Sequence, residues 1–103
     1  MAEQFEYRLE WDPVKAKRNA NDHGVTFEQA ATVFLDAGLA SQLDEQHGDE
    51  EERWVSLGLD RSTRLLVVCH TYREITERSA SIRIFSARKA TRRESKDYEK
   101  RKP

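Results

Sequence analysis

Residues 53–72, Arg53-Trp-Val-Ser-Leu-Gly-Leu-Asp-Arg-Ser-Thr-Arg-Leu-Leu-Val-Val-Cys-His-Thr-Tyr72, decide the fold of this chain. They contain two apolar segments, residues 53–59 and 65–72, which are separated by the short polar segment 60–64. Apolar runs of this length with a polar turn between them are typical of an antiparallel hairpin buried at the centre of a sheet. A further strand is predicted over residues 80–87, after a polar connection at residues 73–79.

The N-terminal part of the chain predicts one strand and two helices. Apolar and charged residues alternate from Phe5 to Trp11, which is the period of a half-buried strand. Asp12 followed by Pro has the form of a helix N-cap, so a helix is expected from residue 13 to about residue 22, ending at His-Gly24. Residues 26–29 have the form of a capping box, which predicts a second short helix ending near residue 35.

The remaining segments complete the predicted fold. Residues 39–43 resemble a weak strand, residues 44–52 an acidic loop, and residues 91–100 a terminal helix. The main elements follow the order β-α-α-β-β-β-α, which predicts an α+β fold with an antiparallel sheet of about four strands and the helices packed on one face. A length of 103 residues and a hydrophobic fraction of 37% allow one modest core, so residues 1–103 are expected to form a single domain.

Composition excludes several classes of protein. Cys69 is the only cysteine, so neither an intrachain disulfide nor a multi-cysteine zinc site is possible. The glycines are isolated, which argues against a phosphate-cradling loop and a nucleotide-cofactor enzyme. The N-terminus has no pattern of a secretion signal, and no apolar run has the length of a membrane span. These features predict a soluble cytoplasmic protein.

Charge is distributed unevenly along the chain. The totals of 18 basic and 19 acidic residues nearly cancel. From Arg83 onward, however, nine Lys and Arg face three acids, whereas residues 36–52 carry seven acids and no Lys or Arg. The basic C-terminal segment predicts binding to a polyanion or an acidic partner, because arginine offers bidentate hydrogen bonds to phosphate and carboxylate. A solvated, charged terminal helix is the simpler alternative.

Polar side chains near the strand ends form the candidate site. The three histidines have no paired ligand spacing, so no metal site is predicted. RNA cleavage through the 2′-hydroxyl needs a base, an acid and cations that stabilise the phosphate, and His, Tyr, Glu and Arg supply these without metal. Taken singly, His70 is also interpretable as a satisfied strand histidine and Arg83 as an exposed residue paired with an acid.

Several motifs in order resemble the BrnT family of toxins. The first is residues 7–19, Tyr-Arg-Leu-Glu-Trp-Asp-Pro-Val-Lys-Ala-Lys-Arg-Asn, followed by His23-Gly-Val-Thr-Phe-Glu-Gln-Ala. The others are the loop over residues 47–54, the strand over residues 65–73 ending His-Thr-Tyr-Arg, and residues 83–94, Arg-Ile-Phe-Ser-Ala-Arg-Lys-Ala-Thr-Arg-Arg-Glu. The resemblance covers nearly the whole chain. It departs from the usual pattern at residues 74–81, which are longer and more polar than the expected turn.

The resemblance implies a RelE-like fold and the toxin half of a type II toxin–antitoxin pair, a ribonuclease that stops translation. It implies that the toxin forms hetero-oligomers with a BrnA-like ribbon-helix-helix antitoxin and that the complex contacts operator DNA only through this antitoxin. It implies no cofactor. In the matching blocks, Arg53 and Arg83 are the candidates for phosphate stabilisation. The candidates for proton transfer are His70 and Tyr72, with His47 as a further choice. The expected RNA-binding residues are Arg73, Arg88, Lys89, Arg92 and Arg93.

Two other functions are compatible with the same sequence. The basic terminal segment would also serve a binding module that docks an acidic antitoxin or a nucleic acid without cleaving it. A degenerate toxin that survives as a transcriptional co-repressor is the third possibility.

Overall fold

A computed structural model describes residues 4–45 and 52–101 of the chain. Its strands are β1 (Glu6–Trp11), β2 (Ala40–Leu43), β3 (Arg53–Leu59), β4 (Leu65–Thr71), β5 (Arg73–Thr76) and β6 (Ser79–Lys89). Its helices are α1 (Pro13–His23), α2 (Phe27–Ala31) and α3 (Arg92–Arg101), with a 3-10 turn, Thr32–Leu35, directly after α2. The predicted α+β class is therefore confirmed.

The strands form one mixed sheet in the order β1-β6-β4-β3-β2, with β5 beside β6. The predicted hairpin is confirmed as β3 and β4, in which Arg53 faces Thr71 and Leu59 faces Leu65. The prediction of an antiparallel sheet of about four strands is wrong, because the described residues form six strands and β1 runs parallel to β6. That pairing joins strands about 70 residues apart in the sequence. The alternation within β1 therefore predicts that the strand is half-buried, but it does not predict which strand lies beside it.

Residues 73–76 were expected to be part of a polar connection and instead form β5. Arg73 faces Ser81 of β6, and a register shift follows before the turn that leads back into β6. All four residues of β5 are exposed, which accounts for their polar sequence. The weak strand predicted at residues 39–43 is confirmed as β2.

The sheet has helices on both faces, so the prediction that all helices pack on one face is wrong. One face, here called the core face, carries Leu66, Val68, Ile82 and Ile84, which are buried together with Val25, Phe27, Ala30, Val33, Phe34 and Ala87 from α2, its neighbouring turns and β6. The opposite face, here called the outer face, carries Val55, Leu57 and Val67 beside the α3 residues Glu94 and Asp97. Terminal helix α3 is fixed by the Tyr98 hydroxyl, which donates to an Asp36 carboxylate oxygen at 2.7 Å.

A β-bulge in β6 sets which side chains reach the outer face. Cys69 of β4 faces Ser86, but the next residue, His70, faces Ile84, so Phe85 is the extra residue of the bulge. A bulge of this kind bends the strand and redirects a side chain. The core face thereby keeps both Ile84 and Ala87 buried, at a spacing of three rather than two.

The helix boundaries follow the predicted caps. The Asp12 carboxylate accepts a hydrogen bond from the Val14 amide at 2.9 Å, and Gly24 ends α1 in the left-handed conformation with φ of 67°. At α2, the Thr26 hydroxyl and the Gln29 side chain cap each other's backbone amides. Asp12, Gly24 and the capping box are therefore confirmed in the roles that the sequence predicted.

Asn19 of α1 joins three parts of the fold. Its amide nitrogen donates to the Val25 carbonyl at 2.9 Å and to the Ala87 carbonyl at 2.8 Å, and its amide oxygen accepts from the Ala87 amide at 3.1 Å. The residue is 6% exposed, so solvent does not compete for these hydrogen bonds. It thus fixes α1 and the turn after it on β6, immediately beyond the bulge.

We predict that Asn19→Ala lowers the free energy of unfolding by about 2–4 kcal/mol, because it leaves buried backbone donors and acceptors without partners. Denaturant unfolding followed by circular dichroism measures the change. Asn21→Ala is the matched control, since Asn21 lies exposed on the same helix and should change stability by less than about 0.5 kcal/mol. Equal effects of the two substitutions would contradict the proposed role of Asn19.

Candidate active site

A cleft of about 290 Å³ lies on the outer face of the sheet, where β1, β4, β5 and β6 meet. Its lining residues are mostly polar and come from widely separated parts of the sequence: Glu10, Glu52, Thr71, Tyr72, Arg73, Ser81 and Arg83. The register of the strands brings these residues to one place in the sheet. Glu10 faces Arg83 across β1 and β6, and Arg73 faces Ser81 across β5 and β6.

Arg83 is the central cation of the cleft. Its guanidinium lies 3.7 Å from the Glu10 carboxylate, and the two side chains are 43% and 60% exposed. An ion pair this open to solvent contributes little to stability. Its backbone amide donates to the Thr71 hydroxyl at 3.2 Å, next to the bulge where the regular ladder is interrupted. Arg83 is therefore held by its backbone, and its charged group is accessible to an anion.

Arg53 and Arg73 bring two more positive charges toward this end of the sheet. Arg53 faces Thr71, which lines the cleft, and Arg73 lines the cleft directly on exposed strand β5. The Arg53 guanidinium carbon lies 4.5 Å from the ring centroid of Phe85, within the range of a cation–π contact. The predicted departure at residues 74–81 does not separate Arg73 from Arg83, since both line one cleft. The structure thus brings together three of the predicted arginines.

His70 lies in the core and not in the cleft. It is 2% exposed, and its ring packs edge-on against Phe34. Its Nδ1 lies 2.8 Å from the Thr71 carbonyl oxygen, which only accepts, so Nδ1 carries the proton and Nε2 accepts from the Ser56 hydroxyl at 2.6 Å. Burial lowers the pKa of His70, against an opposing effect of the Thr71 carbonyl. Both ring nitrogens are used internally, and this position argues against the proton-transfer role predicted for His70.

Tyr72 directly follows β4, is one of the residues that line the cleft, and is 37% exposed. Burial raises the pKa of its phenol, and the charges of Tyr7 and Glu74 raise it further. The phenol therefore keeps its proton at neutral pH and is available as a donor. His47, the other predicted proton-transfer residue, lies outside the described residues.

Four of the predicted RNA-binding residues lie away from the cleft. Lys89 is six residues beyond Arg83 on β6, a distance of about 20 Å at the rise of an extended strand. Arg92 and Arg93 are exposed at the start of α3, which follows β6. Arg88 is engaged by Glu94 through two hydrogen bonds of 2.8 and 2.9 Å, so its charge is neutralised. This basic end is separate from the cleft.

Glu94 should make stability depend on acid. Hydrogen bonds from Arg88 lower its pKa to about 2, partly opposed by burial and supported by Thr91. Because the folded pKa lies below the ordinary value of 4.5, the carboxylate contributes stability above about pH 4.5 that is lost as the pH falls toward 2.

We therefore predict that Glu94→Gln is less stable than the unsubstituted protein near neutral pH, and that this difference shrinks between about pH 4.5 and 2. Urea unfolding at a series of pH values measures it. Glu99→Gln, an exposed substitution on the same helix, is the control. A Glu94→Gln difference that stays constant through this range would contradict the assigned linkage.

Sequence reasoning missed Glu10 as a site residue. Alternation along β1 places Glu6, Arg8 and Glu10 opposite the apolar residues of that strand, but nothing in the sequence shows which strand lies beside them. The parallel pairing with β6 brings Glu10 to Arg83. A carboxylate is one of the groups that abstracts a proton in general base catalysis, so Glu10 adds a chemical function to the arginines.

Two further features of the described residues bear on function. No group of three or more His, Cys, Asp or Glu side chains is arranged to hold a metal ion within residues 4–45 and 52–101. In the same ranges, no helix has both the length and the apolar character needed to cross a membrane.

Comparison with known proteins identifies the family to which this chain belongs. The model of a family described as the ribonuclease toxin, BrnT, of type II toxin–antitoxin systems matches residues 11–94. The protein is thus a ribonuclease toxin of a type II toxin–antitoxin system. It belongs to the BrnT family, as its sequence motifs predicted.

A solved structure agrees with the fold. The crystal structure of the Brucella abortus ribonuclease toxin, BrnT, is similar with a TM-score of 0.54 and 17% sequence identity, over 84% of this chain and 100% of that chain. At this identity the likeness concerns the fold alone. No match was found among curated proteins.

Proposed function

We propose that this toxin is an endoribonuclease that cleaves RNA at the outer-face cleft without a metal ion. The observation that carries the proposal is the convergence of Arg83, Arg73 and Glu10 on one accessible cleft, with Arg53 beside it. Cations that converge on one point stabilise the charge that develops on a phosphate during cleavage. A carboxylate beside them supplies the base that the reaction requires.

The proposed reaction is an internal transesterification. The 2′-oxygen attacks the adjacent phosphorus while the bond from phosphorus to the 5′-oxygen breaks, giving a 2′,3′-cyclic phosphate and a free 5′-hydroxyl. Glu10 accepts the proton of the 2′-hydroxyl, and the Tyr72 phenol donates a proton to the departing 5′-oxygen. Arg83, with Arg53 and Arg73, balances the negative charge on the phosphoryl oxygens.

The same proposal includes the cellular role. Cleavage of RNA in the cytoplasm inhibits translation, and a BrnA-like ribbon-helix-helix antitoxin neutralises the toxin and carries the complex to operator DNA. The exposed basic residues at the start of α3 support a contact with an acidic segment of the antitoxin or with RNA. The RelE-like relationship implied by the sequence motifs belongs to this proposal as well.

We predict that the purified toxin cleaves single-stranded RNA in EDTA and that Arg83→Ala reduces the rate at least about 100-fold, the effect expected for one group that stabilises transition-state charge. Gel analysis of a labelled oligonucleotide measures the rate. Arg61→Ala is the matched control, because Arg61 is exposed in the turn at the other end of β3.

Two results would overturn the proposal. Full activity of Arg83→Ala would exclude the cleft as the site. Binding that weakens with salt while RNA stays intact would instead indicate a binding module without catalysis.

We predict that Glu10→Gln lowers kcat by about 100-fold or more, since general base catalysis contributes on that order. If Glu10 only orients Arg83, Glu10→Gln will leave kcat nearly unchanged and mainly raise KM. Glu6→Gln is the control, because Glu6 is an exposed carboxylate at the far end of β1.

A further inference from the structure

Phe85, the extra residue of the β6 bulge, contacts two cations from different elements. The Arg53 guanidinium carbon is 4.5 Å from its ring centroid, and the Lys15 amine of α1 is 5.3 Å from it. The ring is half-buried, whereas Lys15 is exposed. Parallel strand β1 ends at Trp11, opposite Ile84, so β1 does not cover Phe85 and α1 can reach it.

The charges at this cluster favour an anion. The Lys15 amine and the Arg53 guanidinium both lie near the Phe85 ring. The distance between them is therefore at most about 10 Å, roughly one Debye length at 0.1 M salt. Within residues 4–45 and 52–101, neither Lys15 nor Arg53 forms an ion pair. A phosphate placed between them would relieve their repulsion and gain two favourable contacts.

The Phe85 ring adds a surface on which a nucleotide base can stack, a contact that phosphate alone does not use. Proteins that bind single-stranded RNA stack bases on aromatic rings and on the planes of arginine guanidinium groups. Phe85 is two residues from Arg83 along β6, a distance of about 7 Å. A nucleotide held at Phe85 would therefore adjoin a phosphate held at Arg83.

We infer that Phe85, Arg53 and Lys15 form a nucleotide-binding subsite for single-stranded RNA, in which a base stacks on the Phe85–Arg53 pair and Lys15 binds the neighbouring phosphate. The inference rests on the proposed ribonuclease function, whose substrate it positions. Stacking is tolerant of base identity, so the subsite selects unpaired nucleotides and not a particular sequence.

The test compares two uncleavable ligands with the same number of phosphates. One is a 2′-O-methyl RNA oligonucleotide, and the other is the same backbone without its bases. Phe85→Leu should weaken binding of the first by about tenfold, the loss of one stacked base, and leave binding of the second unchanged. Phe85→Tyr keeps the ring and should retain binding of both. Fluorescence anisotropy at a fixed salt concentration measures each dissociation constant.

Two further variants complete the design. Lys15→Gln should weaken both ligands equally and reduce the salt dependence of binding by about one phosphate contact. Phe5→Leu is the matched control, because Phe5 is a partly exposed aromatic residue before the far end of β1. It should leave both dissociation constants unchanged.

Equal weakening of both ligands by Phe85→Leu would show that Phe85 only orients Arg53 and would overturn the subsite. No weakening of either ligand would overturn it as well. The proposed ribonuclease function is tested separately by cleavage in EDTA. Cleavage without base-dependent binding rejects the subsite alone, and base-dependent binding without cleavage rejects the ribonuclease proposal alone.

Discussion

The bulge at Phe85 is the constraint on which the cleft depends. It shifts the register between β4 and β6 by one residue, and next to it the Arg83 amide donates to the Thr71 hydroxyl. A shift of one residue moves side chains from one face of a sheet to the other. With the bulge, Ile84 and Ala87 are both buried on the core face, while Arg83 and Phe85 lie on the outer face.

The core supports this arrangement from the other side of the sheet. His70 bridges the Ser56 hydroxyl and the Thr71 carbonyl, and the Ser56 oxygen accepts in turn from the Ser41 hydroxyl at 2.7 Å. This series of hydrogen bonds links β2, β3 and β4 next to Thr71, whose hydroxyl bonds the Arg83 amide. Beyond the bulge, the hydrogen bonds of Asn19 to Ala87 fix α1 on β6. Polar core residues thus stabilise the strand geometry on the side of the sheet opposite the cleft.

Local patterns in the sequence predicted the local structure well. The Asp12 cap, Gly24 and the β3–β4 hairpin follow from interactions between residues close in the chain, and all three are confirmed. The parallel pairing of β1 with β6 and the placement of α3 on the outer face depend on contacts between distant residues, which period and propensity do not encode. For the same reason the sequence does not show that His70 is buried in the core or that Glu10 lies beside Arg83.

The most direct test of the cleft as the RNA-binding site is to map uncleavable 2′-O-methyl RNA on the protein by NMR titration of the backbone amides. If RNA binds at the outer-face cleft, the amides of Thr71, Arg73, Arg83 and Phe85 should shift first and saturate together. Amides at the start of α3 should shift later or less. Shifts confined to Lys89 and the first turn of α3 would contradict binding at the cleft, because they would place RNA about 20 Å from Arg83.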